Sequence, residues 1–188
     1  MSTGPWLEAR DLSVGYAAPV LTGLSLRVQP GEVVGLWGPN GCGKSTLLRA
    51  LVGEARIFQG CLVRPPELIL GYLPQRPVRL AEMPFRGSEF LRYAGVRRPA
   101  PERMEPLLHQ RVDRLSGGQF QMLSAWAVLG GPGSLLLLDE PTNNLDPEGE
   151  VFLAAQLREQ AGRRAAVVVS HERSFLEQAT GRILELGR

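Results

Sequence analysis

Apolar residues along this chain follow two rhythms, and the alternation between them predicts the layout. Three short runs are apolar at nearly every position: Glu32 to Trp37 (EVVGLW), Ser134 to Asp139 (SLLLLD) and Ala165 to Ser170 (AAVVVS). Runs of that length without alternation read as parallel strands covered on both faces. Leu68 to Leu73 and Arg182 to Leu186 read as further strands. Between them lie stretches with apolar positions at helical spacing: Thr46 to Val52, the segment entered at Leu115-Ser116-Gly117-Gly118-Gln119, Pro147 to Gln160, and Glu172 to Ala179. Residues up to about 30 read instead as antiparallel strands, punctuated at Gly15, Gly23 and Pro30-Gly31. From Arg76 to Arg114 the prolines 77, 84, 99, 101 and 106 leave room only for short helices around Ser88 to Tyr93 and Glu102 to His109. The expectation is an α/β fold with a mostly parallel sheet.

Composition narrows the class without naming it. At 188 residues the chain is sized for one domain, read as 1–188, and 44% hydrophobic residues exclude wholesale disorder. No apolar run approaches the roughly 20 residues of a membrane span, and the start MSTGPWLEAR has no secretory pattern. Two cysteines without metal-ligand spacing fit a reducing cytoplasm. Cys61, in a strand-like stretch, reads as a core residue. A formal charge of +2 is too small to imply nucleic acid, and no such partner is expected. The basic residues are more telling. Of 21, every one is Arg except Lys44.

That lysine sits in Gly38-Pro39-Asn40-Gly41-Cys42-Gly43-Lys44-Ser45-Thr46, the pattern of a phosphate-binding loop, with a strand before it and a helix after. Glycines let the backbone curl so that successive N–H groups face one anion, backed by the helix dipole. Lys44 is expected on the β- and γ-phosphates and the Ser45 hydroxyl on magnesium. Arginine, with its planar fork, does not replace a compact ammonium there. Cys42 has the size for the loop and is expected to be open to alkylation, since helix N-termini acidify thiols. Asp139 ends an apolar strand, where α/β sheets collect their ligands, and is expected to hold the metal through water. Glu140 follows, placed to take a proton from an attacking water. Ser116 to Gln119 open another helix with an unobstructed backbone and a hydroxyl, a second anion-binding N-terminus.

Leu115-Ser116-Gly117-Gly118-Gln119 ahead of the LLLLDEP strand resembles the signature of ABC-type ATPases. Other elements are similar in order: Gln75 resembles the Q-loop glutamine that touches metal and water, and Asn143-Asn144-Leu145-Asp146 the D-loop. His171 resembles the switch histidine that contacts the γ-phosphate, and Tyr16 the aromatic on which adenine stacks. The resemblance spans Tyr16 to His171. It implies a P-loop NTPase core, an N-terminal antiparallel β subdomain and a small helical subdomain, about 76–130, that carries the signature. It implies hydrolysis of ATP with Mg2+ by Lys44, Gln75, Glu140 and His171, the metal lying among Ser45, Gln75 and Asp139. Ser116, Gly117, Gly118 and Gln119 would face the ATP of a second copy, giving a homodimer around two ATP. Further implied partners are membrane permease subunits and a solute-binding protein, with the chain peripheral on the cytoplasmic face of the membrane.

Within the family, the run Leu70 to Leu80, Met83-Pro84 and Phe90-Leu91-Arg92 is similar to zinc or manganese importers. Two rivals stand beside that reading. TNNLD and SHERSFL (Ser170 to Leu176) resemble the translation-factor branch, although that branch joins two ATPase domains in one polypeptide. A heme-exporter-type ATPase would be equally compact. The chain departs from the family pattern behind the signature, where Gln121 is followed by Met122 and Ser124-Ala125-Trp126-Ala127 replaces an arginine-bearing segment. The charge network behind that helix is thereby left without its usual arginine.

Overall fold

A computed structural model describes residues 4–79 and 84–187. Two strands open the chain, β1 (Leu7–Gly15) and β2 (Pro19–Val28), followed by β3 (Val33–Trp37), helix α1 (Lys44–Leu51), β4 (Arg56–Val63) and β5 (Leu70–Leu73). The helical segment holds α2 (Gly87–Tyr93), α3 (Glu105–His109) and α4 (Gly117–Leu129), with single 3-10 turns at Glu102–Met104 and Val112–Arg114. Then come β6 (Leu135–Asp139), α5 (Pro147–Arg158), β7 (Ala165–Ser170), α6 (Arg173–Ala179) and β8 (Arg182–Glu185).

The five-stranded sheet runs β5-β6-β7-β3-β8 with every pairing parallel. Its central strands are buried on both faces, which is why they read as unbroken apolar runs. Their side chains still divide by parity. Leu136, Leu138, Ala166 and Val168 pack on the side of α4, α5 and α6. Leu135, Leu137, Ala165, Val167 and Val169 pack with Leu47, Leu48 and Leu51 of α1 and with the smaller sheet. That sheet, β2-β1-β4, is antiparallel throughout. The sheet thus separates two cores, one shared with the helical segment and one with the β segment.

The fold class expected from the sequence is the one observed. Three local readings need correction or restriction. Gly23 does not end a strand: it lies inside β2 with φ 67°, where Leu12 pairs Leu24 but Val14 pairs Leu21. One extra residue is accommodated there as a bulge, and a positive φ explains the glycine. Cys61 is exposed, not core, because β4, an edge strand of its sheet, shows most of its residues to solvent. Leu80 and Met83, part of the likeness to metal importers, lie outside the described residues.

Candidate nucleotide site

The carboxyl ends of β3 and β6 deliver the chemistry to one place. After β3, Gly38 approaches the carbonyl of Leu186 so closely that a Cβ there would sit 2.5 Å from it. The chain then turns through Pro39 and Asn40, with Gly41 and Gly43 at φ 83° and 99°, conformations that side chains resist. A Cβ on Gly43 would also meet Leu21 at 2.8 Å. Helix α1 begins at Lys44 with no side-chain cap and no acid in its first turn, so its leading N–H groups are left for a ligand. Lys44 is buried, and its Nζ donates to the carbonyls of Gly38 at 2.6 Å and Pro39 at 3.0 Å. Thr46 is buried on the inner face of α1, and Cys42 is half-buried beside Gly38.

Ser45 and Asp139 meet across the loop, the serine hydroxyl donating to Oδ1 at 2.9 Å. The other carboxyl oxygen, Oδ2, is buried with no hydrogen-bond partner. Burial pushes the Asp139 carboxyl above its ordinary value; the Ser45 hydrogen bond opposes this and the Glu140 charge adds to it. A buried carboxylate with a free oxygen beside a serine hydroxyl fits a magnesium ion, a hard cation that takes oxygen ligands.

Glu140 is buried with φ 47°, a strained backbone for a residue with a side chain. Its Oε2 lies 2.8 Å from Nδ1 of His171 and accepts from the His171 backbone N–H at 3.3 Å. A cleft of about 420 Å3 brings these groups together: Lys44, Ser45, Glu140 and His171, with Gln75 and Tyr16 on its walls. The Tyr16 hydroxyl accepts from Arg49 Nη1 at 2.9 Å, a partner that nothing in the sequence singled out.

The signature lies elsewhere. Ser116 caps α4: its hydroxyl accepts from the Gln119 N–H at 3.1 Å, and the Gln119 side chain accepts from the Ser116 N–H at 2.8 Å. Gly117 and Gly118 rest on Asn144, whose carbonyl would lie 2.2 Å from a Cβ at 118. Asn144 itself takes φ 64°, tolerable for asparagine. Ser116, Gly118 and Gln119 line a separate pocket of about 510 Å3 with Asn144 and Asp146. Two further contacts went unread in the sequence. Gln121 donates to the carbonyl of Pro141 at 3.2 Å, joining α4 to the turn that carries Glu140. Arg164 donates to the carbonyls of Leu129, Gly131 and Gly133 where α4 ends.

A family model for ABC transporters matches residues 21–143. The chain belongs to the ABC transporter family. It is similar to the zinc import ATP-binding protein ZnuC of Paracoccus denitrificans (strain Pd 1222), 42% identical over 192 residues, covering 96% of this chain and 75% of that one. ZnuC of Yersinia pestis bv. Antiqua (strain Antiqua) is 40% identical over 180 residues, covering 90% and 70%. Among solved structures, an ATP-binding subunit of an ABC transporter superposes with TM-score 0.79 at 27% identity, covering 96% of this chain and 85% of that one. A bacterial Atm1-family ABC exporter with ATP bound shares the fold at TM-score 0.81 and 23% identity, covering 100% of this chain and 38% of that one. As an ABC protein the chain is an ATPase coupled to transport. Among its described residues, no helix is long and apolar enough to cross a membrane.

Proposed function

We propose that residues 1–188 form one ABC ATPase domain, the energy-supplying subunit of a metal-ion importer whose cargo is zinc. The observation that carries the ATPase assignment is the convergence of Lys44, the Ser45–Asp139 pair and the Glu140–His171 pair on one cleft. The function of the relatives at about 40% identity supports zinc as cargo.

Tyr16 would stack on adenine while the loop from Gly38 to Thr46 wraps the phosphates with its N–H groups. On nucleotide binding the Lys44 ammonium exchanges the Gly38 and Pro39 carbonyls for β- and γ-oxygens. Asp139, Ser45 and Gln75 are the residues that would hold magnesium. Bound there, the ion would neutralise charge between the β- and γ-phosphates. Glu140 accepts the proton of a water attacking the γ-phosphorus as the bond to the ADP oxygen breaks. His171 leaves Glu140 and donates to a γ-oxygen.

The signature supports a homodimer. Ser116, Gly118 and Gln119 open onto a different pocket from the one holding Lys44, so with Gly117 between them they would complete the nucleotide site of a second copy. Closure around two ATP, drawn by preferential binding to the closed state, would move permease subunits that receive zinc from a solute-binding protein. The chain would then sit on the cytoplasmic face of the membrane, attached through the permease.

The test is genetic and biochemical. Deleting the gene should stop growth under zinc chelation. Added zinc or the wild-type gene should restore growth, and a Glu140→Gln copy should not. Rescue by manganese alone would reassign the cargo, and indifference to both metals would end the importer reading.

A further inference from the structure

Trp37 is the last residue of β3, paired in register with Ser170 of β7 and Glu185 of β8, immediately before the phosphate loop. The end of a buried parallel strand needs only an apolar side chain, and tryptophan adds a hydrogen-bond donor. Its indole Nε1 donates to the backbone carbonyl of His171 at 3.1 Å. The guanidinium of Arg173, on the first turn of α6, lies over the indole ring at 5.3 Å from its centroid, and its Nε donates to Glu177 at 3.1 Å. The ring is thus held on one face by a cation that is itself anchored.

The consequence for residue 171 is specific. Its N–H is held by Glu140 and its carbonyl by Trp37. The following residue is tied down as well, the Glu172 N–H donating to the Ser170 hydroxyl at 3.0 Å. The backbone at 171 is therefore fixed on both sides of its Cα, while the side chain remains 48% exposed in the cleft. What the backbone contacts leave able to turn is the imidazole, held by Glu140 at 2.8 Å.

We infer that Trp37 is a positioning residue for His171, pinning its backbone so that the nucleotide response is a side-chain rotation from Glu140 to the γ-phosphate. The inference rests on the reading of His171 as the γ-phosphate contact. Trp37 does not line the cleft that holds Lys44 and Glu140. It acts through His171, and Arg173 acts through Trp37.

The experiment measures steady-state ATP hydrolysis by the full chain with magnesium, together with the thermal midpoint. It compares wild type, Trp37→Phe, Arg173→Gln, His171→Ala and the Trp37→Phe/His171→Ala double variant. Phenylalanine keeps the apolar packing and removes the donor. Trp37→Phe should lower kcat about fivefold, the loss of one neutral hydrogen bond, with KM for ATP within about twofold of wild type. Arg173→Gln, on an exposed helix position, should lower kcat by about threefold without touching the cleft. In the His171→Ala background, Trp37→Phe should have no further effect, because the group it positions is gone.

Wild-type kcat in Arg173→Gln, or in a folded Trp37→Phe, overturns the inference. So does an equal fall of kcat on adding Trp37→Phe to wild type and to His171→Ala, which marks a packing effect alone. Wild-type turnover in His171→Ala removes the γ-phosphate reading itself, a failure distinct from the others. Should Trp37→Phe not fold, the Arg173→Gln arm decides.

Discussion

Two helices in this protein, α1 and α4, begin beside glycines that border pockets, and their N-termini are finished differently. Helix α1 starts at Lys44 with no side-chain cap, so its first N–H groups have no partner of their own. Helix α4 starts after Ser116 with both halves of a capping box closed, and its glycines are seated on Asn144. An open N-terminus beside a buried lysine and an unpartnered Asp139 oxygen has the chemistry that, on the proposed reading, binds phosphate and metal in its own cleft. A capped N-terminus is rigid before any ligand arrives, its geometry set by the chain's own serine, glutamine and asparagine. On the proposed reading the first end binds and the second is presented. The contrast suggests why one chain carries both, since neither could serve in the other's place.

The hardest blow to the first end is Lys44→Ala. With no other lysine in the chain, hydrolysis should fall on the order of 10³-fold or more, and nucleotide binding should fall with it. Lys44→Arg should fail too, because the guanidinium fork has no room among the Gly38 and Pro39 carbonyls that now hold the ammonium. Near-wild-type turnover in the arginine variant would contradict the reading of the loop.

Glu140→Gln should slow hydrolysis about 10²-fold while leaving the binding groups in place. Losing a carboxylate beside the γ-phosphate also favours closure, so this variant with ATP and magnesium should run as a dimer in size-exclusion chromatography with light scattering. Adding Ser116→Arg should return it to a monomer, because the second end can no longer reach the partner's phosphate. A dimer that survives Ser116→Arg would mean that the two ends do not meet across copies.

The site was more legible in the sequence than its supports. Lys44, Ser45, Asp139 and Glu140 stood out because phosphate chemistry demands those residue types next to strand ends and glycines, whereas Gln75, His171 and Tyr16 stood out only through resemblance to the family; all but Asp139 line one cleft, with Asp139 bonded to Ser45. The parallel strands were legible because burial on both faces leaves no alternation. What stayed hidden involves partners far apart along the chain. Nothing local marks Trp37 as the donor to His171, Arg49 as the donor to Tyr16, or Arg164 as the clamp on α4. Cys61 was misread because an edge strand and a central one look alike in a short apolar stretch, until pairing decides which has a neighbour on both sides.

Arg164 gives a test of the second end that leaves the first alone. Helix α4 has no basic residue in its last turn, and Arg164, just before β7, takes the carbonyl of its last residue Leu129 and those of Gly131 and Gly133 beyond it, steadied by Gln160. Burial pulls its pKa below the ordinary arginine value, yet the guanidinium remains charged at neutral pH. Arg164→Met should cost about 2 kcal/mol in chemical denaturation, because carbonyls at a helix C-terminus lose a charged donor. ATP affinity of the cleft should be unchanged. An equal loss of ATP affinity would mean that the two helix ends are not independent.

The smallest effect belongs to a contact remote from both ends, and it serves as the control. Glu8 on β1 accepts from Arg10 Nη2 at 2.7 Å and from Arg27 Nε at 2.5 Å. The Arg10 hydrogen bond leads in holding its carboxyl at about 2, below the ordinary 4.5; burial opposes the shift and the Arg27 hydrogen bond adds to it. A carboxyl depressed in the folded state favours folding wherever it is ionised in both states. Its contribution is therefore full above pH 4.5 and is lost as the pH falls through about 2. Glu8→Gln should lower the thermal midpoint slightly at neutral pH, and the gap from wild type should close progressively as the pH drops from 4.5 toward 2. Both arginines are mostly exposed, so the gap should also shrink in high salt. Hydrolysis and ATP-dependent dimerisation should be unaffected, since β1 reaches neither helix end through this pair. If Glu8→Gln changed either, the β sheet would be part of the nucleotide response, and the division of labour between α1 and α4 would have to include it.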